Sequence, residues 1–250
     1  MNMDITYAYK EWITRTDEAR HMHNGYELYY FVDGDVDYTI ESVVYKLRPH
    51  DLLIIKPRTY HFATVKSTSY KRFVINFEET DAPECVRKFL QECEGVYHLR
   101  DGSVLAQMFD QWRSGNLSGV ETAAFVPHLL ACALIILKSD KLKRLSPNST
   151  NETLGRIVEY LDAHPEEKVT ASTLSDLFFV SPSWLVHTFK QKFGVPLMHY
   201  INKKRLLYAQ ELIHSGTAPT EAARRCGFAD YSTFYRQYKQ LLGKSPKADK

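Results

Sequence analysis

One short pattern, written twice near the C-terminal end, constrains this chain most: a capped helix, a tight turn and a second capped helix. In the first copy Thr170 is placed to cap a helix with Leu174, Leu177 and Phe178 on one face. Phe179-Val180-Ser181 makes the turn, Ser181 caps the next helix, Pro182 takes its favourable first position, and Gly194 ends it. In the second copy TEAARRC forms the first helix and Gly227-Phe228-Ala229 the turn, with glycine at the expected positive-φ site. Asp230 caps a helix that turns Phe234, Tyr238 and Leu241 inward, and Gly243 closes it. LMHYINKKRLLYAQELIHSG joins the copies as one long helix.

A helix advances about 100° per residue, so the face opposite each apolar stripe follows. Ser183, His187 and Lys190 lie opposite Leu185 and Phe189, with Trp184 and Val186 beside them. Ser232, Arg236 and Lys239 lie opposite Phe234 and Tyr238, with Tyr231 and Tyr235 beside them. Short hydroxyls come first, then a hydrogen-bonding or cationic side chain, then a lysine. Such a face suits a helix in the major groove, its early residues at base edges and its later cations near phosphates. Arg236 has the fork for a bidentate contact to guanine. A single face of this kind is more often merely solvated; two in tandem on a basic segment argue for nucleic acid. The charge is split accordingly: residues 168–250 carry a net +8 and the remainder −6.

The N-terminal half reads differently. YELYYFV, VDYTIESVVYKL, DLLIIK, HFATV and KRFVINF are rich in Tyr, Val, Ile and Phe and read as strands. Turn-like breaks separate them at Asp33-Gly34-Asp35, Pro49-His50-Asp51 and Pro57-Arg58, which suggests a sandwich or small barrel. After Pro83 the period becomes helical: VRKFLQEC, SVLAQMFDQW and the apolar 119–138 segment. Its core, AAFVPHLLACALIILK at 123–138, is shorter than the roughly 20 residues of a bilayer span, and Pro127 and His128 interrupt it. It reads as a buried packing helix. Cys85, Cys93, Cys132 and Cys226 are scattered without metal-ligand spacing, and MNMDITYAYKEW is not a signal peptide, so the expected location is the cytoplasm. LSPNSTN, 145–151, is the linker.

GFADYSTFYRQYKQLLGKSP, 227–246, resembles the signature segment of the AraC/XylS family of bacterial regulators nearly position by position. VSPSWLVHTFKQKFGVPLMHYINKKRLLYAQELI, 180–213, resembles that family's first helix-turn-helix and linker helix. The resemblance covers about 95 residues. It implies a seven-helix domain that sets two recognition helices into successive major grooves on one DNA face. The sequence departs from the pattern at Tyr238, where Phe is usual, at Ala222, where Ile or Val is common, and in the tail SPKADK, which lacks the usual aromatic-basic ending.

His21-Met22-His23, then Glu27, Gly34 and later His61, resemble the cupin pattern of a small jelly-roll barrel. That resemblance implies that His21, His23, Glu27 and His61 face one cavity. Lys56-Pro57-Arg58 replaces the usual Pro-x-Gly, and His50 replaces a turn glycine. Three readings of the cluster stand side by side. It can be an effector pocket without metal, lined also by Tyr29 and Tyr38 and suited to a sugar. It can be purely structural. It can hold Zn, Mn or Fe. The first is adopted, with no metal and no cofactor.

The expected architecture is therefore α+β. A cupin-like effector-sensing and dimerisation domain spans 1–146, its barrel about 1–82 and its helices about 83–144. An all-α DNA-binding domain of two helix-turn-helix units joined by a linker helix spans 147–250. The expected function is a sequence-specific transcription regulator, activator or repressor, controlled by a small molecule such as a sugar. The expected partners are double-stranded promoter DNA, the effector, a second copy of the chain and RNA polymerase, with no membrane. No catalytic residue is expected. The alternative is a metal-dependent cupin enzyme with a helical appendage; two exposed recognition helices on a basic tail argue against it.

Overall fold

A computed structural model describes residues 5–12, 20–93, 95–139, 145–146 and 151–249. The chain divides into two compact units, Met1–Ser149 and Thr150–Lys250. Most of the 145–151 linker, residues 147–150, lies outside the described residues.

The first unit is built on one antiparallel sheet in the order β1-β5-β2-β4-β6, with β3 paired to β2. The strands are β1 (Thr6–Trp12), β2 (Tyr26–Ile40), β3 (Val43–Lys46), β4 (Asp51–Ile55), β5 (His61–Phe77) and β6 (Gly95–His98). One expected break is absent, and two expected strands are one. Asp33-Gly34-Asp35 is a bulge inside β2 rather than a turn, with register shifts at Phe31/Asp33 and Gly34/Val36. HFATV and KRFVINF are two ends of the single strand β5. The bulge suits Gly34: its φ is 129°, and a Cβ there would lie 2.8 Å from the Ser69 carbonyl oxygen. An extra residue bends a strand, and here it curls the sheet over itself.

Alternation then sorts the side chains. Tyr29 and Phe31 of the near half of β2 share a buried cluster with Val36, Tyr38 and Ile40 of its far half, so the concave face encloses them. Leu28 and Tyr30 point the other way, with Leu52, Ile54, Phe73 and Ile75. That convex face is covered by α1 (Glu84–Glu92), α2 (Val104–Arg113) and α3 (Gly119–Ser139). Tyr30 stacks on Phe109 at 3.9 Å between ring centroids, and Phe73 packs on Trp112 at 4.4 Å.

Two strands escaped the sequence reading. β1 carries no dense apolar run, and β6 lies within the segment assigned to helices, so the sheet extends beyond residue 82. The apolar helix also differs. α3 has 21 residues and runs through Pro127, so its length does not separate it from a membrane span. Its packing carries the argument instead: Val126, Leu129, Leu130, Ala133, Leu134 and Leu137 are buried in the convex-face core.

The second unit contains α4 (Glu152–Ala163), α5 (Ala171–Phe178), α6 (Pro182–Phe193), α7 (Leu197–His214), α8 (Pro219–Arg225) and α9 (Tyr231–Leu242). A 3-10 turn at Pro246–Asp249 follows. The caps act as their chemistry requires. Thr170, Ser181 and Asp230 accept from the backbone N–H of Thr173, Trp184 and Thr233. Gly194 and Gly243 end α6 and α9 in the left-handed region.

Candidate functional site

In the first unit, three strands present alternate residues to one cavity of about 860 Å³. β1 pairs β5 with Thr6 opposite Asn76, Ala8 opposite Val74 and Lys10 opposite Arg72, and all six line the cavity. Glu27 enters beside Asn76, its partner in the β2–β5 register. His21 and His23 close this end from the segment before β2. A backbone pair between His21 and His61, with N–H to O distances of 3.2 and 3.0 Å, ties that segment to the start of β5.

His21, His23, Glu27 and His61 do converge: one ligand atom from each lies within 4.8 Å of the others. The tautomers are constrained. His23 Nδ1 lies 3.0 Å from the Gly25 carbonyl, and His61 Nδ1 lies 2.9 Å from the Thr59 carbonyl. A carbonyl only accepts, so each Nδ1 carries the proton. Each Nε2 then faces Glu27 Oε2, at 3.4 Å from His23 and 3.6 Å from His61. A neutral imidazole would aim a lone pair at a carboxylate there, which is repulsive. A proton or a cation on the imidazole side turns this into attraction.

The charges respond to that geometry. Burial would raise the Glu27 carboxyl, but hydrogen bonding and charge from His23 and His61 outweigh it and hold it well below the usual carboxylate range. Burial would lower His61, but Glu27 beside it leaves the imidazole raised. Three imidazoles and a carboxylate, with Nδ1 of His23 and of His61 held by carbonyls, also form a donor set that fits a divalent transition metal.

The two tyrosines and His61, all expected to face the pocket, do not line it: His61 is fully buried behind Glu27. Tyr38 stands behind Glu27 and donates to its Oε1 at 3.4 Å. Tyr29 is fully buried, with its hydroxyl against that of Tyr70. In their place the cavity wall has Lys10 and Arg72, which the sequence reading did not single out. The available signal was the pattern Tyr70-Lys71-Arg72-Phe73, in which alternation sends Arg72 to the face opposite Phe73.

In the second unit, the faces computed from helical period are the exposed ones. Ser183, Trp184, Val186, His187 and Lys190 of α6 are exposed, while Leu185 and Phe189 are buried. Ser232, Tyr235, Arg236 and Lys239 of α9 are exposed and Tyr231 is half-buried, while Phe234 and Tyr238 are buried. Tyr231 packs its ring 5.7 Å from Phe234, so part of it serves the core.

Known families match both units. The profile of the AraC-like ligand binding domain matches residues 7–131, half of the chain. A helix-turn-helix domain profile matches residues 174–249. The transcriptional activator RhaS of Escherichia fergusonii is 30% identical over 167 residues, which cover 63% of this chain and 59% of that protein. The probable transcriptional regulator LumQ of Photobacterium leiognathi is 26% identical over 145 residues, 58% of this chain and 56% of that protein. The chain thus spans somewhat over half the length of the curated relatives it matches. Among solved structures, ToxT from Vibrio cholerae aligns over 99% of this chain and 97% of its own, at 12% identity and a TM-score of 0.43.

Proposed function

Because the chain belongs to the AraC family of transcription regulators, we propose that it reads promoter DNA through α6 and α9 and answers to a small molecule in the first unit's cavity. The observation that carries the DNA reading is the pair of exposed recognition faces, each capped at its N-terminal end and each ending in cations. Ser183, Trp184, Val186, His187 and Lys190 contact one groove; Tyr231, Ser232, Tyr235, Arg236 and Lys239 contact the next. The working division is 1–146 for sensing and dimerisation and 147–250 for DNA.

The effector site comprises His21, His23 and Glu27 at the cavity wall, with the buried His61 and Tyr38 supporting Glu27 from behind. Glu27 is an acceptor for a ligand hydroxyl, and the imidazoles complete a hydrogen-bonding end. A second copy docks on the 84–139 helices, where Val120 and Ile135 of α3 leave apolar surface exposed. RNA polymerase is the further partner if the protein activates, and the cytoplasm is its place. The relatives are regulators, and the reading is of a non-enzyme.

A second reading of the cluster is favoured by one observation, the two Nε2 atoms facing a single carboxylate oxygen. In it His21, His23, Glu27 and His61 hold a divalent metal, which would supply a Lewis-acidic anchor for a ligand oxygen. One experiment tests the main reading: mapping bound DNA across the source genome, with and without a metabolite extract. Discrete sites whose occupancy changes with the extract support it. Binding that is uniform and indifferent to the extract sinks it.

A further inference from the structure

We infer that the ligand of this cavity is an anion: a hydroxylated organic acid of the sugar-acid kind, its carboxylate held by Arg72 and Lys10 and its hydroxyls by the Glu27 end. The inference rests on the effector reading given above and narrows it to a chemical class.

The register is the first ground. Lys10 and Arg72 are direct cross-strand partners on β1 and β5, and both line the cavity. Like charges directly opposite one another in an antiparallel pair are destabilising. An anion between the two heads converts that cost into a clamp.

Burial is the second. Arg72 is only 6% exposed although it carries a permanent charge. Its guanidinium carbon lies 5.7 Å from the Tyr29 ring centroid and 5.6 Å from that of Tyr70. Two fixed rings hold a planar fork in place beside the cavity. Its Nε and Nη1 are buried, which leaves Nη2 to meet a carboxylate at the cavity wall, and little side-chain freedom remains to be lost when the ligand arrives.

The third ground is how charge is distributed along the cavity. Both of its carboxylates, Glu27 and Glu78, stand at the opposite end, near Asn76 and Phe77. From Arg72 to Asn76 is four residues of β5, ~13 Å of strand at ~3.3 Å per residue. The cavity is therefore cationic at one end and rich in acceptors at the other. A neutral sugar would use the second end and bring no charge to the first. A sugar acid addresses both.

The test uses the full chain, with calorimetry and thermal shift as readouts. The probes are D-gluconate, D-glucuronate and D-galacturonate against neutral sorbitol, D-glucose and D-galactose. At least one acid is expected to bind about tenfold or more tighter than its neutral counterpart, because a charge-assisted pair is roughly twice as strong as a neutral one. Arg72→Gln should weaken that acid about 10- to 100-fold, and Lys10→Gln about 3- to 10-fold. Lys10 is exposed, so its variant keeps the wild-type melting temperature. Should Arg72→Gln fail to fold, Arg72→Lys retains the charge without the fork and should bind more weakly than wild type. Neutral sugars binding as tightly as acids, no acid binding, or acid affinity unmoved by changes at both positions overturns the inference. A neutral sugar bound in a Glu27-dependent way would do so while leaving the effector reading standing. An acid held through Arg72 without effect on promoter occupancy would uphold the inference and remove the regulatory reading.

Discussion

The Tyr238 hydroxyl donates a 2.5 Å hydrogen bond to Asp249 Oδ2, joining two positions at which the chain departs from its family's pattern. The phenol replaces the usual phenylalanine, and the short tail supplies the carboxylate. Gln210 and His214 of α7 bond the same carboxylate at 3.1 and 3.0 Å, and Lys244 pairs with it. The tail is thus tied to both the linker helix and the second recognition helix.

Tyr238→Phe should therefore destabilise the protein, although it restores the commoner residue. A hydrogen bond to a charged group is worth about 1.5–3 kcal/mol, and the loss should appear as a lower urea midpoint with unchanged slope. Asp249→Asn should cost a similar amount. A phenylalanine variant as stable as wild type would show that the bond contributes nothing net.

Acid should act at the same place. Burial would raise the Asp249 carboxyl, but the bonds from Lys244, Tyr238, His214 and Gln210 outweigh it and bring it down to about 2. A depressed carboxyl lends stability that is fully present above its unfolded value, near 3.8, and is lost as pH falls through about 2. Wild type should lose stability relative to Asp249→Asn across that window, by about 2 kcal/mol. Parallel pH–stability curves for the two proteins would contradict this assignment.

Residues 147–250 alone should bind promoter DNA, with affinity falling steeply as salt rises, because lysine and arginine displace condensed counterions. A gel-shift titration across salt concentrations checks this. A folded fragment that binds no DNA, or binds without salt dependence, would remove the central claim.

Within that domain Arg236 and Lys239 should separate by role. Arg236→Ala should cost about 1–3 kcal/mol on the best site and relax preference at one or two base positions. Lys239→Ala should weaken all sequences alike. Selection from a random library reads both, and an unchanged base preference for Arg236→Ala would strike that residue from the readout. His187→Ala is expected to act weakly, through base or phosphate.

Glu27→Gln divides the readings of the histidine cluster. As an effector acceptor its loss should weaken the response about ten- to a hundredfold. As a metal ligand its loss should lower metal content, and a chelator should reproduce the phenotype. As a structural group its loss should lower the melting temperature and leave the dose-response alone. Normal response, normal melting and no metal in either protein would refute every functional reading of the four residues.

What the sequence disclosed follows how local each signal is. Caps such as Thr170, Ser181 and Asp230 act within three residues, and helical period fixes which side of α6 and α9 is exposed. Both were legible. The convergence of His21, His23, Glu27 and His61 came from a recurring motif. The rest depended on non-local pairing. Only the β1–β5 register places Lys10 beside Arg72, and nothing near Thr6–Trp12 announces it. Tyr29 and Tyr38 were misplaced because alternation gives a face, not a depth: both lie on the concave face, yet behind the cavity wall. Gly34 looked like a turn because a bulge uses the same residue. His50 and Arg58, where the cupin pattern would have different residues, take φ of 70° and 60°. Their backbone follows a loop geometry that their side chains do not favour.

The two turns of the helix-turn-helix motifs differ in a way that bears on where the domain opens first. The first ends α5 on Phe179, at φ 55° and 96% exposed; the second passes through Gly227 at φ 74°. A left-handed non-glycine residue costs about 1–2 kcal/mol, and Phe179 recovers little of it from packing. The second helix-turn-helix has no such cost and is moored by the tail. The first turn is then the easier to open, and local unfolding of this domain is expected to begin at α5 and α6 rather than at α8 and α9.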